Sequence, residues 1–239
     1  GAGQRPLGGL PGAHPDVARH LPRNYTAHAI EGGMYMGGLA FAHPQTVLPR
    51  MLEQLGGPDW LIALAPVLLM IGFCSPGLFV THRIERLPAL KPFVLWTGAL
   101  QRLPYLVAGA ALLAVEPGSA STLFVIVATP LLSGFVGGIS VSAWREFVAK
   151  TIPATRLASL WAVRFLLGGI VGVMAGDGVA YVLRHYPATR AYGMLHLAVF
   201  AFMALSWAVF ASTREPALDS RRARSAPTWW HYARSLRDD

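Results

Sequence analysis

The sequence predicts an all-α polytopic membrane protein, a bundle of six transmembrane helices with both ends on the cytoplasmic side. Three observations predict it: a composition too apolar for a soluble domain, six closely spaced apolar runs of bilayer length, and basic residues that alternate between loops. The 239 residues are 54% hydrophobic and 13% charged, with a mean hydropathy of +0.44. An ordinary soluble domain is about 25% charged. The single cysteine, Cys74, lies in an apolar run and excludes a disulfide framework or a CxxC metal or redox site. No metal and no cofactor is expected. The net charge of +8 fits nucleic acid or a membrane surface equally well, so placement decides.

A run of about 20 apolar residues crosses a hydrocarbon core of about 30 Å at about 1.5 Å per residue. Six such runs stand at 27–48, 60–80, 93–115, 123–144, 157–182 and 192–211. The first contains Glu31 and the helix-breaking pair His43-Pro44, and removing it would put the two ends on opposite sides. Arg5, Arg19 and Arg23 precede the first span, Arg83, Arg86 and Lys91 follow the second, and Arg145, Lys150 and Arg156 follow the fourth. Six more lie after the sixth: Arg214, Arg221, Arg222, Arg224, Arg234 and Arg237. The opposite loops hold Arg50, Arg184 and Arg190 alone. Fifteen of the 20 basic residues therefore fall on one side, which the positive-inside rule makes cytoplasmic.

Residues 1–22 are rich in Gly and Pro and read as a disordered cytoplasmic leader. No secretory signal is legible there, and with no Met at Gly1 the chain reads as a fragment at its start. Residues 23–212 form the bundle, and 213–239 a basic tail or central loop. With Trp229, Trp230 and Tyr232, that tail suits an anionic leaflet or a solvated linker.

Gly168, Gly172 and Gly176 recur every fourth residue and mark one stripe for close helix packing, with Gly33/Gly37 and Gly134/Gly138 repeating the spacing. Pro44, Pro66, Pro104 and Pro130 interrupt the first four spans, as suits helices that bend around a cavity. A charge at the bilayer centre costs about 2.5–3.5 kcal/mol on insertion scales, so each needs a partner, a wet cavity or a function. Glu31 and Arg164 lie at depths that allow pairing, either as a structural ion pair or in substrate or proton coupling. Arg102, next to Gln101 and before Pro104, sits near the midplane and faces either a cavity with an anionic substrate or a neighbouring helix. Asp177 lies about 220° around the helix from Arg164, so the two do not share a site. His43 reads as an interfacial residue beside a helix break.

The loop Thr81-His82-Arg83-Ile84-Glu85-Arg86-Leu87-Pro88-Ala89-Leu90-Lys91 resembles the G-x-x-x-D-R-x-G-R-R signature of the major facilitator superfamily (MFS). Glu85 and Arg86 take the acid-base pair and Lys91 the basic end, while Thr81 and Pro88 replace the glycines. Arg145-Glu146 followed by Pro153-Ala-Thr-Arg156 is similar to a second pattern of that family, with the Pro-to-Arg spacing one shorter. The stretches from Pro44 to Pro49 and from Arg83 to Pro88 resemble bacterial members.

The resemblance implies the N-terminal six-helix half of an MFS transporter in a bacterial inner membrane. Its partners would be the lipid bilayer, a small-molecule substrate, and a second six-helix half in the same longer chain or in a homodimer, with no nucleic acid. It implies a proton-coupled secondary transporter of a small solute, with spans one and four lining the cavity and Glu31 a better cavity residue than Arg102. Spans two and five would face the second half, and Glu85, Arg86 and Lys91 would act as a gating loop. No phosphate-binding loop points to ATP. The rivals are a non-transporting membrane scaffold or assembly factor and a rhomboid-like intramembrane protease using Ser133 and His196, for which no GxSG stands in the chain.

Overall fold

The computed structural model describes residues 15–76, 87, 89–114 and 120–216, and among these there is no strand. Among the described residues seven α-helices follow in order: α1 (Pro15–Gly38), α2 (Val47–Gln54), α3 (Asp59–Cys74), α4 (Lys91–Ala114), α5 (Ala120–Thr151), α6 (Ala154–His185) and α7 (Ala188–Ala211). A 3-10 turn, Leu39–Ala42, extends α1.

Three of the long helices open in one way. Pro58, Pro153 and Pro187 hold the N-cap positions of α3, α6 and α7, each with an extended ψ. Their carbonyls accept the first helical bonds, from Ile62, Arg156 and Ala191, at 3.2, 2.9 and 2.9 Å. Proline lacks an N–H at a position where none would be bonded, so it starts a helix without loss. α2 ends at Gly56, whose φ of +75 lets Gly57 N–H reach Leu52 O at 2.8 Å, a closure a side chain would strain.

The described residues bear on four readings of the sequence. α1 begins at Pro15, so residues 15–22 are helical and not part of an irregular leader. Arg19 and Arg23 thus sit on the first turns of α1. The first apolar run is not one helix: it breaks after Gly38, and His43 turns the chain, its carbonyl accepting from Thr46, Val47 and Leu48. Pro44 denies the turn one donor, which is why the helix restarts only at Val47.

The third concerns the six runs: among the described residues α5, α6 and α7 alone are long and apolar enough to cross a membrane by length and composition. α1 carries Arg19, Arg23 and Glu31, α4 carries Lys91, Gln101 and Arg102, and α3 spans 16 residues. Glu31, Gln101 and Arg102 are buried, so these helices hide polar side chains inward. The outer surface is apolar: Phe124, Val173, Met174, Trp60 and Trp96 are all exposed. A soluble protein rarely exposes so many large apolar side chains, and lipid is the solvent that suits them.

α1 packs along α6 and α7, α5 packs along α3 and α4, and α4 packs along α7. That pattern is unchanged when α1, α3 and α4 are exchanged as a set with α5, α6 and α7. The glycines follow it. Gly33 and Gly37 of α1 meet Leu167, Gly168 and Val171 of α6, while Gly134 and Gly138 of α5 lie on the backbone of α3 at Leu69 and Phe73. The fourth is the Gly168, Gly172, Gly176 stripe: among the described residues Gly168 touches α1, Gly172 barely reaches Ala40, and a Cβ on Gly176 meets nothing. Further along α6, Gly178 meets the Phe41 ring of the 3-10 turn, so contact there passes through a side chain and not a backbone.

One end of the bundle gathers the Asn24–His28 stretch of α1, the starts of α4 and α6 and the ends of α5 and α7. Asn24 bonds both the N–H and the carbonyl of Arg214, at 2.8 and 2.9 Å. The Glu215 carboxylate accepts from the Leu90 and Lys91 N–H groups, and Lys91 Nζ donates to the carbonyls of Ala211 and Thr213. Partial burial and the nearby Arg214 and Arg23 hold the Lys91 ammonium below its ordinary range, against the pull of Glu215. Tyr25 donates to Ser159 and His28 pairs with Thr151. At the opposite end the Tyr192 hydroxyl of α7 bonds the Gln54 side chain of α2. The remainder of the tail, 217–239, and residues 1–14 lie outside the described residues.

Two glycine substitutions separate the packed from the open part of α6. A Cβ on Gly33 overlaps Leu167, so Gly33→Ala is expected to lower stability by about 1–3 kcal/mol. A Cβ on Gly176 meets nothing, and Gly176→Ala is expected to be neutral or to gain up to about 1 kcal/mol from helix propensity. Thermal unfolding in detergent micelles reads both, and equal losses would contradict this packing.

Candidate functional site

A cavity of about 240 Å³ opens inside the bundle, in the half that holds the start of α4 and the end of α7. All four residues singled out as coupling candidates, Glu31, Gln101, Arg102 and Arg164, line it. α1 contributes Glu31, Tyr35 and Met36, α4 contributes Gly98, Gln101 and Arg102, and α6 contributes Trp161 and Arg164. Ser140 and Trp144 come from α5, Phe73 from α3, and Trp207 and Phe210 from α7.

The ion pair that depth alone allowed is formed. Arg164 Nη1 donates to Glu31 Oε2 at 2.6 Å and to the His28 carbonyl at 2.6 Å. Both side chains are buried, with Arg164 4% and Glu31 7% exposed. The guanidinium also lies over two indoles, 4.9 Å from the Trp144 ring centre and 5.2 Å from that of Trp161. Such cation–π contacts are worth about 2 kcal/mol or more when desolvated. Arg164 Nε has no hydrogen-bond partner among the described residues. Breaking a buried pair so that one charge is left uncompensated costs about 3–5 kcal/mol.

Arg102 both lines the cavity and joins helices. Nε donates to the Met203 carbonyl of α7, and Nη1 to the Gly98 carbonyl one turn back. Gln101 turns to the other side of α4 and donates to the Tyr35 hydroxyl at 2.8 Å. Glu31 and Tyr35 are one turn apart on α1, so a single helix face presents the carboxylate and the phenol.

Glycines make room for these side chains. A Cβ on Gly32 would run into the Arg164 guanidinium, one on Gly137 into Gln101, and one on Gly98 against Arg102 and Trp207. Here the glycines admit side chains between helices, a use distinct from the backbone contact at Gly33 and Gly134. Sequence reasoning did not single out Tyr35, Ser140, Trp144, Trp161 or Trp207. Tyr35 carried a usable signal, its position four residues after Glu31; the tryptophans carried none, because apolar spans place indoles at lipid surfaces as well.

Other candidates fall outside this cavity. Glu85 and Arg86 of the gating loop lie outside the described residues, and Lys91 is engaged with the end of α7. Asp177 is exposed. His196 bonds the Tyr192 carbonyl and stands beside the Tyr105 ring, and no hydrogen bond joins it to Ser133. No family model, no curated protein and no solved structure matches this chain.

Arg164→Met leaves the Glu31 carboxylate buried without its cation and is expected to cost about 3–5 kcal/mol. Adding Glu31→Gln removes the stranded charge and recovers most of that loss. Unfolding of the single and double variants in micelles measures the coupling; strictly additive losses would contradict a tight pair.

Proposed function

We propose that this chain is the N-terminal six-helix half of an MFS-like secondary transporter, crossing a bacterial inner membrane six times with both ends cytoplasmic. The observation that carries the proposal is the burial of Glu31, Arg164, Arg102 and Gln101 around one cavity inside a bundle with an apolar exterior. Intramembrane ionisable groups facing a cavity are characteristic of substrate and proton pathways.

The packing supports the same reading. Secondary transporters of this kind build each half from two three-helix repeats of inverted topology. The exchange of α1, α3 and α4 with α5, α6 and α7 preserves the helix contacts, and a repeat with an odd number of crossings reverses its direction. In the six-crossing topology the starts of α1, α4 and α6 and the ends of α5 and α7 belong on one side, where the hydrogen bonds gather them. α3 and α6 expose Val67, Met70, Leu166, Val173 and Met174. They would face the second half, in the same longer chain or in a second copy.

Glu31 is the proton-coupling group of this proposal. Among the described residues it is the one acidic side chain in the cavity lining, and its charge is tied to Arg164 of another helix, so proton uptake would release α1 from α6. Glu31→Gln keeps an oxygen for Arg164, which also retains the His28 carbonyl and two indole faces, so the variant is expected to fold and insert. Solute uptake into proteoliposomes by Glu31→Gln should lose its dependence on a pH gradient. Uptake as pH-dependent as that of the parent would remove Glu31 from the coupling role.

A further inference from the structure

The charges around the cavity do not balance. Among the described residues the buried ionised side chains are Glu31, Arg102 and Arg164, and Glu31 is committed to Arg164. Among the described residues Arg102 has no carboxylate within ion-pair distance, and the Glu31 charge reaches it only through space. It stays protonated at any accessible pH, so it cannot relieve its burial by neutralising. Two carbonyl dipoles take its Nε and Nη1, and its Nη2 has no hydrogen bond among the described residues. A 7% exposed cation lining a cavity in a bilayer, with one fork position open, is short of one negative charge.

The remaining lining limits what can supply that charge. Trp207 stands beside Gly98 and Arg102, and Phe73, Trp144, Trp161 and Phe210 make most of the other walls aromatic. Polar groups beyond the arginines and the Glu31 carboxylate, which Arg164 holds, are few, chiefly the Gln101–Tyr35 pair and Ser140, itself bonded to Thr97. An apolar cavity of about 150 Å³ holds benzene, so 240 Å³ has room for a ring bearing a carboxylate. A planar carboxylate also matches the guanidinium fork.

We infer that the cavity binds an organic monoanion with an aromatic or similarly apolar body, its carboxylate on Arg102 and its body among the indoles. The inference rests on the proposed transport reading for its biological sense, but binding is measured without transport. A multiply charged anion would bring uncompensated charge into the cavity, and a cation would meet Arg102 directly.

The probes are benzoate, benzyl alcohol and benzylammonium, matched in ring and differing in charge, titrated into the full chain in micelles and read by tryptophan fluorescence and calorimetry. Benzoate is expected to bind saturably and at least about tenfold more tightly than either of the others. Arg102→Gln should weaken benzoate about tenfold while changing benzyl alcohol little, and Arg102→Lys should retain part of the preference. Because Arg102 also ties α4 to α7, the charge series on the unaltered chain stands even if its variants fail to fold. Equal affinity for benzoate and benzyl alcohol, preference for benzylammonium, no saturable benzoate binding, or chloride binding alone each overturns the inference. Saturable benzoate binding with no uptake into proteoliposomes keeps it and removes the transport reading; uptake of a neutral or cationic solute without benzoate binding does the reverse.

Discussion

A carboxylate and a guanidinium inside an apolar bundle must meet at hydrogen-bond distance, because each alone costs several kcal/mol to bury. Glu31 and Arg164 meet this requirement across α1 and α6, and much of the surrounding structure follows from it. Gly32 has no side chain because the guanidinium occupies that space. Trp144 and Trp161 flank the cation, and the His28 carbonyl of α1 takes a further share of its charge. Gly33 and Gly168 then bring the two backbones close enough for the pair to form.

The same logic, polar groups inward and apolar groups outward, explains why composition measures the helices unequally. α5, α6 and α7 keep their polar groups few or at their ends and read as spans by hydropathy alone. α1 and α4 carry two of the cavity's three charges, Glu31 and Arg102, besides Arg19, Arg23 and Lys91, so their apolar signal falls below that of the longer α6, which carries Arg164. Weak hydropathy in these two helices is therefore linked to the site itself.

This link also decides what was legible in the sequence. The Glu31–Arg164 pair followed from burial cost and matched depth, and the grouping of Gln101 with Arg102 followed from adjacency, although adjacent helical residues point to different neighbours, here Tyr35 and Met203. The break after Gly38 was visible as His43-Pro44, but its consequence, a separate α2 packed under Tyr192, depends on contacts nearly 140 residues away in the chain. Gly172 and Gly176 have the spacing of a packing stripe and lack the partner, because spacing fixes a face of a helix and not the path of its neighbour. Likewise Asn24 clamps Arg214, 190 residues further along the chain, a contact that no local pattern marks.

The central claim, that α1, α3 and α4 cross the membrane with α5, α6 and α7, is tested most directly by the sidedness of single cysteines. With Cys74 replaced by serine, cysteines at Asp59, Ala89, Ala154 and Tyr186, all exposed positions, are labelled with an impermeant maleimide before and after permeabilising the cells. Six crossings predict labelling of the Asp59 and Tyr186 positions from outside, and of the Ala89 and Ala154 positions only after permeabilisation. Labelling of the Asp59 and Ala89 positions from the same side would mean that α3 does not cross, and would contradict the account.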